Sequence, residues 1–349
     1  KTGELLACVT YPGYDTNRLA NTVDSNYYNL LYQDLSNPFY NNATQQTTAP
    51  GSTFKMVTAS AGLTEGIISP GTTILDKGQF EEVANGPKCW IYPISHGSIN
   101  VSEALRDSCN YFFYETADRM GIDTLVRFAK YFGLGSKTGI ELRGETAGVV
   151  SGKESKQKLH NNEPWSAGDT LQSAIGQYDN EFSPIQMARY ISMLANGGHK
   201  IDPTIIKTIR NADGSEASRE EINKFVNSKL GIEDDNSEEI NINQNYLNAV
   251  LEGMKSVTSD SGGTAYVRFK DFNISVGGKT GSAEAAGNKV HAWFVGFAPF
   301  ENPEIAIVVM VENGGHGYYT ATVAREIFES YFGTNEDIKE DRTAKPYTG

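Results

Sequence analysis

The sequence predicts an α+β fold, a sheet with helices packed against it, on three observations. Segments of helical periodicity occupy much of the first 256 positions. Three short apolar runs bounded by turn residues, Ile274–Val276, Ala292–Phe297 and Ile305–Val311, then follow one another as strands. A last helical segment, Ala321–Tyr331, closes the pattern. There is no fixed-period repeat.

Leu5–Thr10 reads as an opening strand that ends at the Pro12-Gly13 turn. Residues 26–48, rich in Tyr, Asn and Gln, read as loop with short helices. Pro50-Gly51 punctuates the start of a helix over Ser52–Thr64, with Phe54, Val57 and Ala61 on its buried face. Val101–Met120 reads as one helical stretch with Ser102 as N-cap and Glu103 in its first turn. Asp123–Phe132 is amphipathic and ends at Gly133. Ser183–Asn196 starts at Pro184 and stops at Gly197-Gly198. Residues 210–245 are polar and acidic, and read as an insertion or surface lobe, or as a solvated helix. Asn245–Ser256 is helical.

At 349 residues the chain is long for one domain, yet its 39% hydrophobic content supports a sizeable core. A net charge of −13 argues against nucleic acid and anionic lipid as partners, since both repel an acidic surface. No apolar run approaches the roughly 18–20 residues that span a bilayer. The chain opens mid-pattern at Lys1-Thr2-Gly3-Glu4, which reads as a fragment boundary. Cys8, Cys89 and Cys109 are odd in number and give no disulfide framework. Either the thiols are free and buried, or some bind metal.

Three short motifs carry chemistry. In Ser52-Thr53-Phe54-Lys55, positions i and i+3 of a helix share a face, so Lys55 lies one turn beneath Ser52. A lysine in a dry site can lose its charge and accept the serine proton. The helix start offers N–H groups to a developing oxyanion. The bland alternative is an N-cap serine. Ser155-Lys156-Gln157-Lys158 fits the same pattern but has no apolar helix behind it. In Ser108-Cys109-Asn110, the hydroxyl can shuttle a proton and the amide can hold substrate. Ser98-Ile99-Asn100 competes, but precedes a helix and suits capping. In Lys279-Thr280-Gly281, followed by Ser282, a strand presents a cation and a hydroxyl to a carboxylate, and the glycine admits substrate backbone. The same tripeptide at Lys1 lies at the chain end, and at Lys137 in a loop.

Ser-x-x-Lys, Ser-x-Asn and Lys-Thr-Gly in this order form the signature set of penicillin-recognising serine enzymes. The surroundings resemble class B penicillin-binding proteins from about Gly3 to Phe332. The resemblance rests on Ala49–Lys55, Gly168-Asp169-Thr170, Ala174–Gln177, Pro184–Ala188 and His291–Pro299. Cys89-Trp90, His96-Gly97 and Glu312–Gly317 look most like the elongation type, penicillin-binding protein 2. Asn110 stands where many of that subgroup carry aspartate, so division and sporulation types stay open.

The resemblance implies the penicillin-binding transpeptidase (β-lactamase-like) fold: an antiparallel sheet flanked by helices, beside an all-helical region, over residues 1–335, with a tail at 336–349. It implies that Ser52 attacks a D-Ala-D-Ala stem peptide of peptidoglycan, assisted by Lys55. Ser108 and Asn110 would relay the proton and orient substrate. Lys279 and Thr280 would hold the carboxylate, and Gly281 and Ser282 would line the substrate, with the Ser52 and Ser282 N–H groups on the oxyanion. Implied partners are stem peptides, β-lactam antibiotics and a membrane SEDS-type glycosyltransferase. The implied place is the extracytoplasmic face, with a membrane anchor upstream of this chain. A serine β-lactamase, a β-lactam sensor and a DD-carboxypeptidase share the motifs. The chemistry needs no cofactor, but Asp76, Cys89, His96 and Cys109 supply one O, one N and two S donors suited to zinc, and some elongation-type enzymes are similar there. The alternative is a buried Cys109, a solvent-facing Asp76 and a loop His96.

His291 and His316 beside glycines read as packing or turn-bonding histidines. Tyr27, Tyr28, Tyr32 and Tyr40 read as packing a loop-rich edge ahead of lining a groove. Trp90 and Trp293 read as core or cleft wall.

Overall fold

A computed structural model describes residues 2–232 and 239–334. The 336–349 tail and most of the acidic run at 233–239 fall outside the described residues. Helix α1 (Ser25–Gln33) is capped by Asp24, whose carboxylate accepts from Tyr27 N. A 3₁₀ turn, Gly51–Phe54, runs directly into α2 (Lys55–Thr64), which is buried on almost every side. The ribbon of β1 (Ile74–Asp76) and β2 (Gly97–Ile99) precedes α3 (Val101–Arg106), α4 (Asn110–Met120) and α5 (Ile122–Tyr131). Helices α6 (Lys153–Leu159), α7 (Ala167–Ala174), α8 (Pro184–Ala195), α9 (Arg219–Leu230), α10 (Gln244–Ser259) and α11 (Tyr266–Phe269) follow. Strands β3 (Gly277–Ala285), β4 (Lys289–Ala298) and β5 (Ile305–Val311) and helix α12 (Tyr318–Phe332) end the described chain.

The sheet is antiparallel in the order β3-β4-β5, with Lys279 opposite Val295 and Gly281 opposite Trp293. Its central strand is apolar on both faces because both are covered. Trp293, Val295 and Phe297 join the large core that holds α2, α4, α5 and α8. Phe294 and Ala298 join a smaller core with α11 and α12. Strand β3 has no strand on its outer edge. There α2 and its leading turn pack instead, so helical region and sheet meet along one line.

Several expectations shift. Leu5–Thr10 is no strand: it makes a single bridge, Glu4 to Thr204, and leaves Leu6 and Val9 exposed, having no partner strand and no face to bury. The strand expected at Ile274–Val276 begins at Gly277 and carries the whole Lys-Thr-Gly motif. Val101–Met120 is two helices, because Ser108 takes a left-handed φ of 54° that ends α3. The α3 N-cap is Asn100, not Ser102. Asn100 accepts from the N–H groups of Ser102 and Glu103, and Glu103 accepts from Asn100 N, a capping box. The Ser102 hydroxyl instead donates to Ala249 O. Within 210–245, α9 is a solvated helix with only Ile222 and Val226 buried. Cys8 is exposed rather than buried. Trp90 is exposed too, while Trp293 lies in the core. Tyr28 stacks on Tyr32 and packs against Phe39.

Asn100 seats the helix that leads into Ser108. Replacing it by alanine is expected to cost about 1 kcal/mol of stability, and by aspartate much less, in urea unfolding. Equal stabilities of the two variants would contradict the cap assignment.

Candidate active site

Gly51 opens the turn before α2 with φ of 54°, and a Cβ there would lie 2.6 Å from Ser282 O. Gly176, at φ of 75°, presses on the other side: its Cβ would lie 2.2 Å from Gly51 O. Only glycine fits either position. The Ser52 turn is thus clamped, backbone to backbone, between residue 176 and strand β3. Trp293 Nε1 donates to Ala49 O at 3.0 Å and holds the approach from below.

Lys55, one turn on, is fully buried. Its ammonium donates to Ser108 O at 2.7 Å, Asn110 Oδ1 at 2.7 Å and Ser108 Oγ at 3.2 Å. Lys279 is equally buried and donates to Ser108 Oγ at 2.9 Å and to Thr280 O at 3.0 Å. Both lone pairs of the Ser108 hydroxyl are therefore taken, which leaves its proton free to donate outward. Burial pushes the Lys55 ammonium down to about 8, against the opposing pull of the Cys109 and Cys89 sulfurs. Lys279 is held well below the ordinary lysine value by burial and then by the charge of Lys55.

Ser282 O faces Gly51, across the outer edge of β3. In an antiparallel strand a residue's N–H and C=O project to the same side, so Ser282 N–H faces that edge as well. A Cβ on Gly281 would lie 2.8 Å from Pro50 O. The structure thus brings Ser52, Lys55, Ser108, Asn110, Lys279, Thr280, Gly281 and Ser282 to one cleft between α2, α4 and β3. Lys156, from the competing motif, lies elsewhere in an ion pair with Asp169 at 2.6 Å. His291 accepts from Asn313 N and His316 stacks on Tyr318, each a local role. Two participants escaped the sequence reading. Thr264 shares a hydrogen bond of 2.7 Å with the Thr280 hydroxyl, and Gly317 N donates to Ser282 Oγ at 3.1 Å. Neither lies in a motif. The double glycine before Thr264 and the Gly-rich stretch at 314–317 were the available signals.

Beneath Ser108 lies a second cluster. One donor atom each from Asp76, Cys89, His96 and Cys109 lies within 4.8 Å of the others. His96 Nδ1 is 2.7 Å from Asp76 Oδ2 and 3.6 Å from Cys89 Sγ. Cys109 Sγ is 3.9 Å from Cys89 Sγ and 3.6 Å from Asp76 Oδ2. Tetrahedral zinc bonds of about 2.0–2.3 Å imply donor separations of roughly 3.3–3.8 Å, so the group can hold a metal after small adjustments. Asp76 is 2% exposed, which removes its solvent-facing alternative. Hydrogen bonding from Cys109 holds the Cys89 thiol down at about 4, while burial pushes Cys109 far up. Cys109 Sγ also caps α4, accepting from Phe112 N, and Cys89 Sγ accepts from Asn110 N. Trp90 lies over His96 with ring centroids 5.9 Å apart and donates to Asp107 O.

Comparison with known proteins agrees with this geometry. The family model of the penicillin-binding protein transpeptidase domain matches residues 1–332. The peptidoglycan D,D-transpeptidase MrdA of Haemophilus influenzae is 33% identical over 95% of this chain, and the chain spans about half, 51%, of that relative's length. The crystal structure of Pseudomonas aeruginosa PBP2 superposes with a TM-score of 0.83 at 31% identity, covering 100% of this chain and 74% of that one. A structure described as coordinating polymerization and crosslinking in a peptidoglycan synthase complex superposes at 0.80 with 29% identity, covering 96% of this chain and 55% of that one. The fold is that of the penicillin-binding transpeptidases, and its relatives include the elongation-type MrdA/PBP2 class. This chain belongs to the penicillin-binding protein transpeptidase domain family.

Proposed function

We propose that the chain is the transpeptidase domain, over residues 1–335 with 210–245 as a surface lobe, of an elongation-type peptidoglycan D,D-transpeptidase that works through a serine acyl-enzyme. The observation that carries this is the dry Lys55 ammonium, one helical turn from Ser52 and hydrogen bonded to Ser108 and Asn110. Neutral Lys55 takes the proton of Ser52 Oγ as that oxygen attacks the penultimate D-Ala carbonyl. The N–H groups of Ser52 and Ser282 receive the oxyanion. Ser108, holding two lysines on its lone pairs, donates its proton to the departing D-Ala amine, and Lys55 replenishes it. Lys279 and the Thr280 hydroxyl hold the terminal carboxylate, Gly281 lets the peptide backbone approach, and Asn110 orients the stem. An amine from a neighbouring stem then takes the acyl group from Ser52. A β-lactam mimics the dipeptide and leaves a slowly hydrolysed ester.

Incubation with a β-lactam is expected to add the mass of the drug to Ser52, and Ser52→Ala to abolish the adduct. Labelling of Ser52→Ala would discard the assignment. Rapid turnover of nitrocefin would favour a β-lactamase instead.

The lysine must lose its proton before it can act as base. Acylation is therefore slow at low pH and rises through a pKa of about 8. Below that value the rate is expected to fall about tenfold per pH unit. Single-turnover rates across pH 5–10 give the profile. Lys55→Arg, which keeps the charge but not the ability to shed it, is expected to show no ascending limb.

The proposal includes a structural zinc on Asp76, Cys89, His96 and Cys109. When bound it supplies a cross-link beneath Ser108 and Asn110, not a reacting atom. Elemental analysis after dialysis is expected to find about one zinc per chain, and Cys89→Ser to lower both metal content and Tm. A metal-free chain of undiminished acylation rate would dismiss it.

Among the described residues no helix is long and apolar enough to cross a membrane. The reading places this domain outside the cytoplasmic membrane, anchored by a helix upstream and partnered with a SEDS-type glycosyltransferase. The synthase-complex structure that the chain resembles supports that partner class.

A further inference from the structure

Strand β3 alternates its side chains across the sheet, so Thr280, Ser282 and Glu284 share one face. Thr280 is buried and bonded to Thr264, and Ser282 Oγ accepts from Gly317 N. Glu284 is different. It is exposed, and among the described residues it makes no hydrogen bond and no ion pair. Its charge nonetheless reaches across the cleft. The Tyr114 hydroxyl on α4 is raised by burial first, then by the Cys89 charge, and also by Glu284.

Resting on the transpeptidase reading, the direction of a bound peptide follows from the strand. With its terminal carboxylate at Lys279 and Thr280 and its scissile carbonyl at Ser282 N–H, the peptide lies antiparallel to β3 on the free edge. Its acyl side then runs towards Glu284. From Ser282 to Glu284 the strand advances about 7 Å, the length of roughly two extended residues. The residue that precedes the two D-alanines therefore passes beside an unpaired carboxylate.

We propose that Glu284 is a specificity residue that selects acyl donors carrying an ammonium group on the acyl side of the scissile bond, such as a stem whose residue before the D-alanines is a diamino acid. The contact lies at the solvent-exposed mouth, so it acts as a screened ion pair and shifts selectivity more than absolute rate.

The test compares two penicillins that differ by one amine. Ampicillin carries an α-ammonium on its acyl side chain and benzylpenicillin has hydrogen there. The ratio of their second-order acylation rates is expected to fall about two- to fivefold in Glu284→Gln, and further in Glu284→Lys. In the unchanged chain the same ratio is expected to fall as salt rises. A ratio that stays constant across the three proteins, whatever their absolute rates, overturns the proposal. Failure of either drug to label the unchanged chain would overturn the transpeptidase reading, and this proposal with it.

Discussion

Two ammonium groups, both withdrawn from water, meet at a single hydroxyl. Lys55 and Lys279 come from segments more than 200 positions apart in the sequence, and each reaches Ser108 Oγ. Burying one such charge is costly and burying two side by side is worse, since each also repels the other. The fold answers with acceptors: the carbonyls of Ser108 and Thr280, the Asn110 side chain and the hydroxyl itself. What remains of the cost appears as a weakened hold on protons, the property a base needs at neutral pH. The rest of the structure keeps this arrangement dry and in register.

Ser108 can serve both lysines because its backbone is held in a strained, left-handed turn. That turn is secured from below. Cys109 follows it immediately, caps α4 and joins the Asp76–Cys89–His96 group. The cluster and the cleft are two sides of one peptide segment. A cross-link at the cluster would therefore act on the geometry of Ser108 and Asn110 without touching substrate.

Much of the fold was legible in periodicity. Helices α5, α8 and α10 and strands β4 and β5 lie within a few residues of their expected positions, because each buries an apolar stripe or run that local sequence displays. Where the reading strayed, long-range contacts decided. Ser102 has the chemistry of a cap, yet Asn100 takes that place and frees Ser102 to bind Ala249. Leu5–Thr10 has the composition of a strand but no partner to pair with. The candidate site was legible through the order of three motifs, which no periodicity would have singled out. Thr264 and Gly317 were not, since their parts depend on which loop returns beside β3.

The glycine clamp around Ser52 also bears on how the chain matures. The turn is shaped by residue 176 on one side and 282 on the other, with no side chain between. Contacts so distant along the chain form late in folding, because long loops must close before they reward the molecule. During vectorial synthesis the serine and its lysine emerge early but stay unset until β3 is made. A nascent or prematurely terminated chain would hold every group of the first two motifs and remain chemically silent, which guards a reactive alcohol until its surroundings are complete.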